Sequence, residues 1–271
     1  MLNVLETYKR ADIYDEEFHD FTVDLAFYGK LTSKILKVIG FSNILEMCCG
    51  TGRVTIPLAR NKTFQITGVD ISPNMLAKAK EKVKKEQVEV KRRIRLLEGD
   101  IRDFDAGLQG YDLVLITFNA FLHMMDYESQ RKALENAYKH VKSSRYFLAH
   151  IFSPDPIRLA NDLRKPRLEV REREVKTKNG ERLIIVRCSP SYNTATQVIT
   201  DPRVYEIYSL SGKRQLIEQY YEPLELRIIF PNEWENLLKS VGFTIVEKWG
   251  DYDFSPFQVD APQMLWLCEK E

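Results

Sequence analysis

Four features in the first hundred residues have the types and spacing to hold a charged small molecule: Glu46, the turn Gly50-Thr51-Gly52, Asp70 and Asp100. Glycines at 50 and 52 let the backbone approach a ligand where a side chain would clash. An acid about 20 residues beyond such a turn, ending the next strand, can accept both hydroxyls of a ribose. Asp100 ends the strand after that, where a carboxylate can accept from the exocyclic amine of adenine. The set describes a nucleoside site. A dinucleotide fingerprint would require glycine where Thr55 stands, and a phosphate loop would close on Gly-Lys-Ser/Thr, which is missing here. Acids around the turn repel pyrophosphate and suit a ligand carrying a sulfonium and an amino group. The residues therefore favour S-adenosylmethionine over NAD.

Other groups are candidates for proton chemistry. His123 falls just past the fourth expected strand and is the best-placed general base, while His19, His140 and His150 read as surface or core residues. Tyr205, Tyr208, Tyr220 and Tyr221 alternate along later strands, as sheet packing or as the wall of a pocket. The cysteines, Cys48, Cys49, Cys188 and Cys268, form no CxxC pair and have no histidine at metal-ligand spacing, so they read as free thiols with no metal site.

The elements that must position these residues alternate. An apolar run, 43–47, ends in the glycine turn and reads as a buried strand. A helix begins at Arg53, a second strand covers 64–69, and Ser72-Pro73-Asn74 starts another helix running to about Lys85. Strands follow at 93–98, 111–117 and 146–152, with a helix at about 128–141. This alternation predicts a parallel sheet with helices on both faces. Upstream, residues 16–39 read as one helix with Phe18, Phe21, Leu25, Tyr28 and Leu31 near one face. From about 168 to 230 the pattern is β-rich, with a hairpin turn at Asn179-Gly180 and a break at Ser211-Gly212-Lys213. A helix at 231–241 and strands at 243–248 and 263–268 then look like the end of the first domain. The expected organisation is an N-terminal helical lid (1–40), a core (41–166 with 231–271) and an antiparallel β insertion (167–230) over an acceptor site.

The bulk properties narrow the partners. Of 271 residues, 40 are basic and 39 acidic. That balance argues against a nucleic-acid partner, which usually demands a basic excess or face. The Lys- and Arg-rich run from Lys78 to Arg95 reads as a solvated helix face with i,i+4 pairs, or else as an RNA-contacting patch. The N-terminus lacks an apolar run after a basic start, and no stretch approaches the roughly 20 apolar residues of a membrane helix. A cytoplasmic protein without a membrane partner, monomeric or homodimeric, is expected.

At this point a resemblance carries further. ILEMCCGTGRVTIPLA at 44–59, GVDISPNMLAKAKEK at 68–82, EGDIRDF at 98–104, YDLVLITFNAFLHM at 111–124 and FPNEWENLLKSVGFTIVEKWGDYD at 231–253 resemble, in order, the motifs of class I, Rossmann-like S-adenosylmethionine-dependent methyltransferases. The resemblance implies a mostly parallel seven-stranded sheet. It implies that Gly50 and Gly52, with Cys48, Thr51 and Arg53 in the same loop, line the methionine part of S-adenosylmethionine while Glu46 orders the loop. Asp70 would hold the ribose hydroxyls, Ile71 and Met75 would flank the adenine, and Asp100 would bond its amine, with the Ile101 amide beside it. Asn119 would lie near the transferable methyl. Cys48 and Cys49 stand where the family often has Asp or Gly. Tyr14 and Tyr28, in a segment 14–28 that resembles the lid of small-molecule N-methyltransferases, would join the site, Tyr14 among the catalytic residues. The product would be S-adenosylhomocysteine and the acceptor a small molecule methylated on N or O. The alternatives are an RNA or protein methyltransferase, a nucleotide-dependent oxidoreductase, and a cofactor-binding module without turnover.

Overall fold

The computed structural model describes residues 4–37, 40–107, 110–164, 167–177 and 180–271. In chain order the elements are α1 (Val4–Thr7), α2 (Ala11–Glu17), α3 (Val23–Leu36), β1 (Ser42–Met47), α4 (Thr55–Ala59), β2 (Phe64–Asp70), α5 (Pro73–Lys84), α6 (Val88–Lys91), β3 (Ile94–Glu98), β4 (Tyr111–Ile116), a 3-10 turn (Ala120–His123), α7 (Tyr127–His140), β5 (Val141–Phe152) and α8 (Pro156–Arg164). Then come β6 (Glu169–Thr177), β7 (Gly180–Cys188), β8 (Ser191–Asn193), β9 (Val198–Ser209), β10 (Gln215–Arg227), α9 (Pro231–Ser240), β11 (Phe243–Trp249) and β12 (Gln263–Lys270). They divide into two compact units: one of residues 1–20 with 155–228, the other of 21–154 with 229–271.

The unit of 21–154 and 229–271 holds a seven-stranded sheet in the order β11-β12-β5-β4-β1-β2-β3. β1 pairs in parallel with β2 and β4, β2 with β3, and β4 with β5. β12 runs antiparallel to both β5 and β11. β1 and β4 lie at the centre, and their continuous apolar runs are buried as a sheet covered on both faces requires. The strand order reverses between β1 and β4, and crevices at such reversals are where open α/β sheets bind ligands. Ile44, Val54, Leu58, Ile66, Leu113, Leu115 and Leu148 form one core with Phe27, Tyr28 and Leu31 of α3.

Local sequence explains the helix starts. Ser72 caps α5, its Oγ accepting from the Met75 amide at 3.4 Å, and Pro73 takes the first helical position. Asp126 caps α7, accepting from the Ser129 amide at 2.8 Å. The stretch 16–39, expected as one helix, is broken: α2 ends at Glu17 and α3 starts at Val23. Arg53 Nη1 donates to the Phe21 carbonyl at 3.0 Å, engaging a backbone acceptor that a continuous helix would use. β5 begins five residues earlier than the apolar run suggests, with Ser144 at φ 54° inside it.

The unit of 1–20 and 155–228 is built on a five-stranded antiparallel sheet, β10-β9-β7-β6 with β8 on β9. Its core joins Ile13 of α2 to Ile184, Val186, Tyr205 and Ile207. Thr7 Oγ1 donates to the Pro223 carbonyl at 2.9 Å. β6 and β7 pair antiparallel with Thr177 opposite Gly180, while Asn179 of the expected turn lies outside the described residues.

Candidate functional site

β1 delivers the chain to a sharp turn. Cys48, Gly50 and Gly52 all have positive φ, at 62°, 55° and 73°. That backbone suits glycine, and Cys48 carries the strain of a left-handed side-chain residue. Asp70, at the end of the neighbouring β2, clamps the turn: its Oδ2 accepts from the Gly50 amide at 2.7 Å and its Oδ1 from the Ser72 amide at 2.8 Å. Burial raises the Asp70 carboxyl, opposed by the Ser72, Gly50 and Ile71 amides. Each oxygen keeps a further lone pair for a hydroxyl donor.

Glu46 is buried under the same turn, 2% exposed. Thr55 Oγ1, at the start of α4, donates to Glu46 Oε2, and Thr117 Oγ1, at the end of β4, donates to Oε1 at 3.2 Å. One carboxyl thus ties three elements together. Burial pushes it up to about 7, with the threonines and Arg53 pulling down. Burial also raises both the Cys48 and Cys49 thiols, with Asp70 adding to the effect, so they stay protonated at neutral pH.

Beyond β4 the backbone is strained again. Phe118 and Asn119 are consecutive non-glycine residues at φ 52° and 65°. The cause of their stability is a buried network around His150, which is fully enclosed in β5. The Phe118 amide donates to His150 Nδ1 at 3.0 Å. A backbone N–H only donates, so Nδ1 is unprotonated and the Tyr28 hydroxyl, 2.7 Å away, donates to it too. Nε2 then carries the proton and donates to Gln263 Oε1 at 2.9 Å, with the Tyr252 hydroxyl at 3.2 Å. Burial pushes this imidazole down to about 4. Asn119 Oδ1 accepts from the Phe152 amide at 2.6 Å, and its own amide donates to the His150 carbonyl at 3.1 Å. Arg53 lies 4.2 Å over the Phe118 ring and pairs through both terminal nitrogens with Asp24, which is fully buried.

Residues 44–144 match the family model described as a methyltransferase domain. Over these residues the chain carries a methyltransferase domain. A putative methyltransferase from Geobacillus sp. (strain WCH70) is 30% identical over 132 residues, 45% of this chain, and the chain spans 51% of that relative's length. Among solved structures, an S-adenosylmethionine-dependent methyltransferase from Clostridium acetobutylicum superposes with a TM-score of 0.74 at 18% identity, covering 96% of this chain and 97% of the other. An amino pentose methyltransferase from Micromonospora echinaspora, solved with S-adenosylmethionine bound, gives 0.66 at 17% identity, covering 100% and 98%. At these identities the two structures establish the fold.

Within the methyltransferase domain the structure gathers Glu46, Cys48, Gly50, Thr51, Gly52 and Asp70 at the adjoining ends of β1 and β2. Ile71 follows, 37% exposed, and Met75 is buried in the first turn of α5 with its Cε 3.6 Å from where a Gly50 side chain would begin. Thr51 is buried and accepts from Lys82 Nζ at 3.2 Å. Asp100 follows β3, both of its oxygens bonded by Arg102 Nε at 2.9 and 3.0 Å. That guanidinium, ahead of the opposing burial, lowers the Asp100 carboxyl. The Ile101 carbonyl is fixed by Asn136 Nδ2 at 3.0 Å. His123 sits partly buried in the 3-10 turn after Asn119. Tyr28 is fully buried on His150, and the partly buried Arg53 packs on Asp24 and Phe118, so both brace the chain that flanks the loop. Tyr14 belongs to the other unit, where its ring packs 4.9 Å from Phe18 and 5.9 Å from Tyr8. Sequence reasoning missed Tyr252 and Gln263, placed Asp24 only within the lid-like segment, and read His150 as a surface or core residue. Within the Lys78–Arg95 run, Glu81 pairs with Lys78 and Lys85, while Glu86 takes Arg60 at 2.7 Å from outside it. Among the described residues no helix is long and apolar enough to cross a membrane.

Proposed function

We propose that this chain transfers a methyl group from S-adenosylmethionine to nitrogen or oxygen of a small-molecule acceptor. The observation that carries the reading is the Asp70 clamp: an acid at the end of β2, holding a positive-φ glycine turn at the end of β1, beside the point where strand order reverses. The donor set fits the cofactor. The carboxyls Glu46, Asp70 and Asp100 suit hydroxyls, an amine and a positive charge, and would repel the pyrophosphate of a dinucleotide. Around Gly50 only the Met75 methyl comes within 4 Å of an added Cβ, which leaves room for backbone contact with a ligand.

Bound there, S-adenosylmethionine supplies a methyl carbon on a sulfonium leaving group. Asp70 would accept from the ribose hydroxyls, Ile71 and Met75 would flank the adenine, and Asp100 would accept from its amine, with the Ile101 amide beside it. The Glu46 bonds to Thr55 and Thr117 hold the turn so that it need not reorganise, and the His150 network holds Phe118 and Asn119 in their strained turn. Fixed geometry is the main requirement of an in-line displacement. His123 takes the proton when the acceptor is an ammonium or hydroxyl. An amine or hydroxyl acceptor is supported by the fold shared with the amino pentose methyltransferase.

The test is incubation with S-adenosylmethionine carrying a labelled methyl group and a panel of amino sugars, other small amines and phenols. The reading predicts label in a small product with stoichiometric S-adenosylhomocysteine. Label appearing in RNA or protein and in no small molecule would overturn it.

A further inference from the structure

The two turns of the candidate site leave neighbouring strands at one end of the sheet. β1 and β4 pair in parallel with Met47 opposite Ile116, so the glycine turn and the Phe118–Asn119 turn start side by side. Both rely on positive-φ residues: Gly50 and Gly52 at 55° and 73°, Phe118 and Asn119 at 52° and 65°. Arg53, the residue after Gly52, joins them. Its Nη1 donates to the Phe21 carbonyl and to Asp24 Oδ1, both at 3.0 Å, and its Nη2 donates to Asp24 Oδ2. The Arg53 side chain is 11% exposed and Asp24 is fully buried, so this two-pronged pair is sheltered from water and fixed in orientation. The guanidinium lies 4.2 Å over the Phe118 ring, and the Phe21 ring stands 5.6 Å from the Phe118 ring. Moving the glycine turn therefore moves the flat surface on which Phe118 rests.

The same helix fastens the other turn. Tyr28 stands four residues after Asp24 on α3, one helical turn along the same face. Its hydroxyl and the Phe118 amide both donate to His150 Nδ1, at 2.7 and 3.0 Å. One face of α3 thus holds the glycine turn through Asp24 and the Phe118 turn through Tyr28. Consecutive non-glycine residues at positive φ keep that backbone only while surrounding contacts impose it, so a relaxed arrangement of the turn competes with the strained one. A contact that favours one arrangement from a neighbouring site couples the two sites.

We propose that Arg53 is a positioning residue that couples the two turns, so that a cofactor seated on the glycine turn tightens the Phe118–Asn119 turn beside the acceptor. The inference rests on the methyl-transfer reading of the glycine turn. It adds that Arg53 acts through Phe118, and that the acceptor side is set only after the cofactor is in place. An arginine that merely held the fold would stabilise the chain equally with and without cofactor.

The experiment follows amide hydrogen exchange at Phe118 and Asn119 in the ¹⁵N-labelled full chain, with and without S-adenosylhomocysteine at a concentration that calorimetry shows to be saturating. In the unaltered protein the ligand should slow exchange at both amides by about ten-fold, a usual size for coupling between sites. In Arg53→Lys, which keeps the charge and loses the fork and the flat stack, slowing at saturation should fall below about two-fold. Asp24→Asn, which frees the guanidinium from its charged partner, should lose the slowing likewise and stands in if Arg53→Lys fails to fold. Unchanged exchange in the unaltered protein despite calorimetric binding would overturn the proposal without any variant. Equal slowing in a folded variant, with only its denaturation midpoint lowered, would overturn it by making the pair purely structural. Absence of calorimetric binding to the unaltered protein would overturn the methyl-transfer reading itself, and this inference with it.

Discussion

Asp70 and Glu46 are the residues that hold the turn between β1 and α4, and they act differently. Asp70 commits one lone pair per oxygen to the chain, and in the proposed site the others would meet the ribose hydroxyls. Asp70→Asn keeps the shape, loses the charge and turns one acceptor into a donor facing an amide. S-adenosylhomocysteine should bind it at least ten-fold more weakly, the loss of one charged hydrogen bond of about 1.5–3 kcal/mol; equal affinity by calorimetry would show that Asp70 only shapes the turn. Glu46 is buried and held near 7, above its ordinary 4.5. The folded chain therefore keeps a proton that the unfolded chain releases, so Glu46 makes stability fall as pH rises from about 4.5 to 7, then level off. His150, pushed down to about 4 from 6.5, works in the opposite sense: stability falls as pH drops through that window. The two partly cancel in the wild-type curve, so the variant must be read by difference. Wild type minus Glu46→Gln stability should decline across pH 4.5–7 by up to about 3 kcal/mol; a flat difference in urea denaturation would contradict the assignment.

At the scale of elements, the close approach of β1 and β2 sets what the turn can be. A Cβ on Gly68 would fall 2.9 Å from Cys49 Sγ and 3.1 Å from Leu96 Cδ2. Gly68→Ala should cost about 1–3 kcal/mol by forcing the turn and β3 apart, seen as a lower denaturation midpoint; an unchanged midpoint would mean that the strands give way freely. The ends of β1, β2 and β3 were legible in the sequence because glycines and acids punctuate apolar runs. The break between α2 and α3 was not, since it depends on Arg53 reaching the Phe21 carbonyl 32 positions earlier. The His150 network was hidden for the same reason: its partners Tyr28, Phe118, Tyr252 and Gln263 stand 122, 32, 102 and 113 residues away. Local pattern carries strand ends, whereas buried polar networks exist only once distant segments meet.

For the whole molecule, the methyltransferase family model spans 44–144, yet the sheet is completed by β11 and β12 from the far end of the chain. The long β-rich segment leaves this sheet after β5 and forms its own unit with the N-terminal helices α1 and α2. The turn at Asn179-Gly180 and the break at Ser211-Gly212-Lys213 showed that segment in the sequence, but not its partnership with residues 1–20, which rests on contacts such as Thr7 with Pro223 and the Ile13 packing. Everything proposed for methyl transfer requires that the loop at Glu46–Gly52 takes an adenosyl cofactor with a positive charge. Calorimetric titration of the full chain with S-adenosylhomocysteine and, in parallel, with NAD tests this most directly. Saturable one-to-one binding of S-adenosylhomocysteine with none of NAD is the predicted result; no binding of S-adenosylhomocysteine by the folded protein, or tighter binding of NAD, would contradict it.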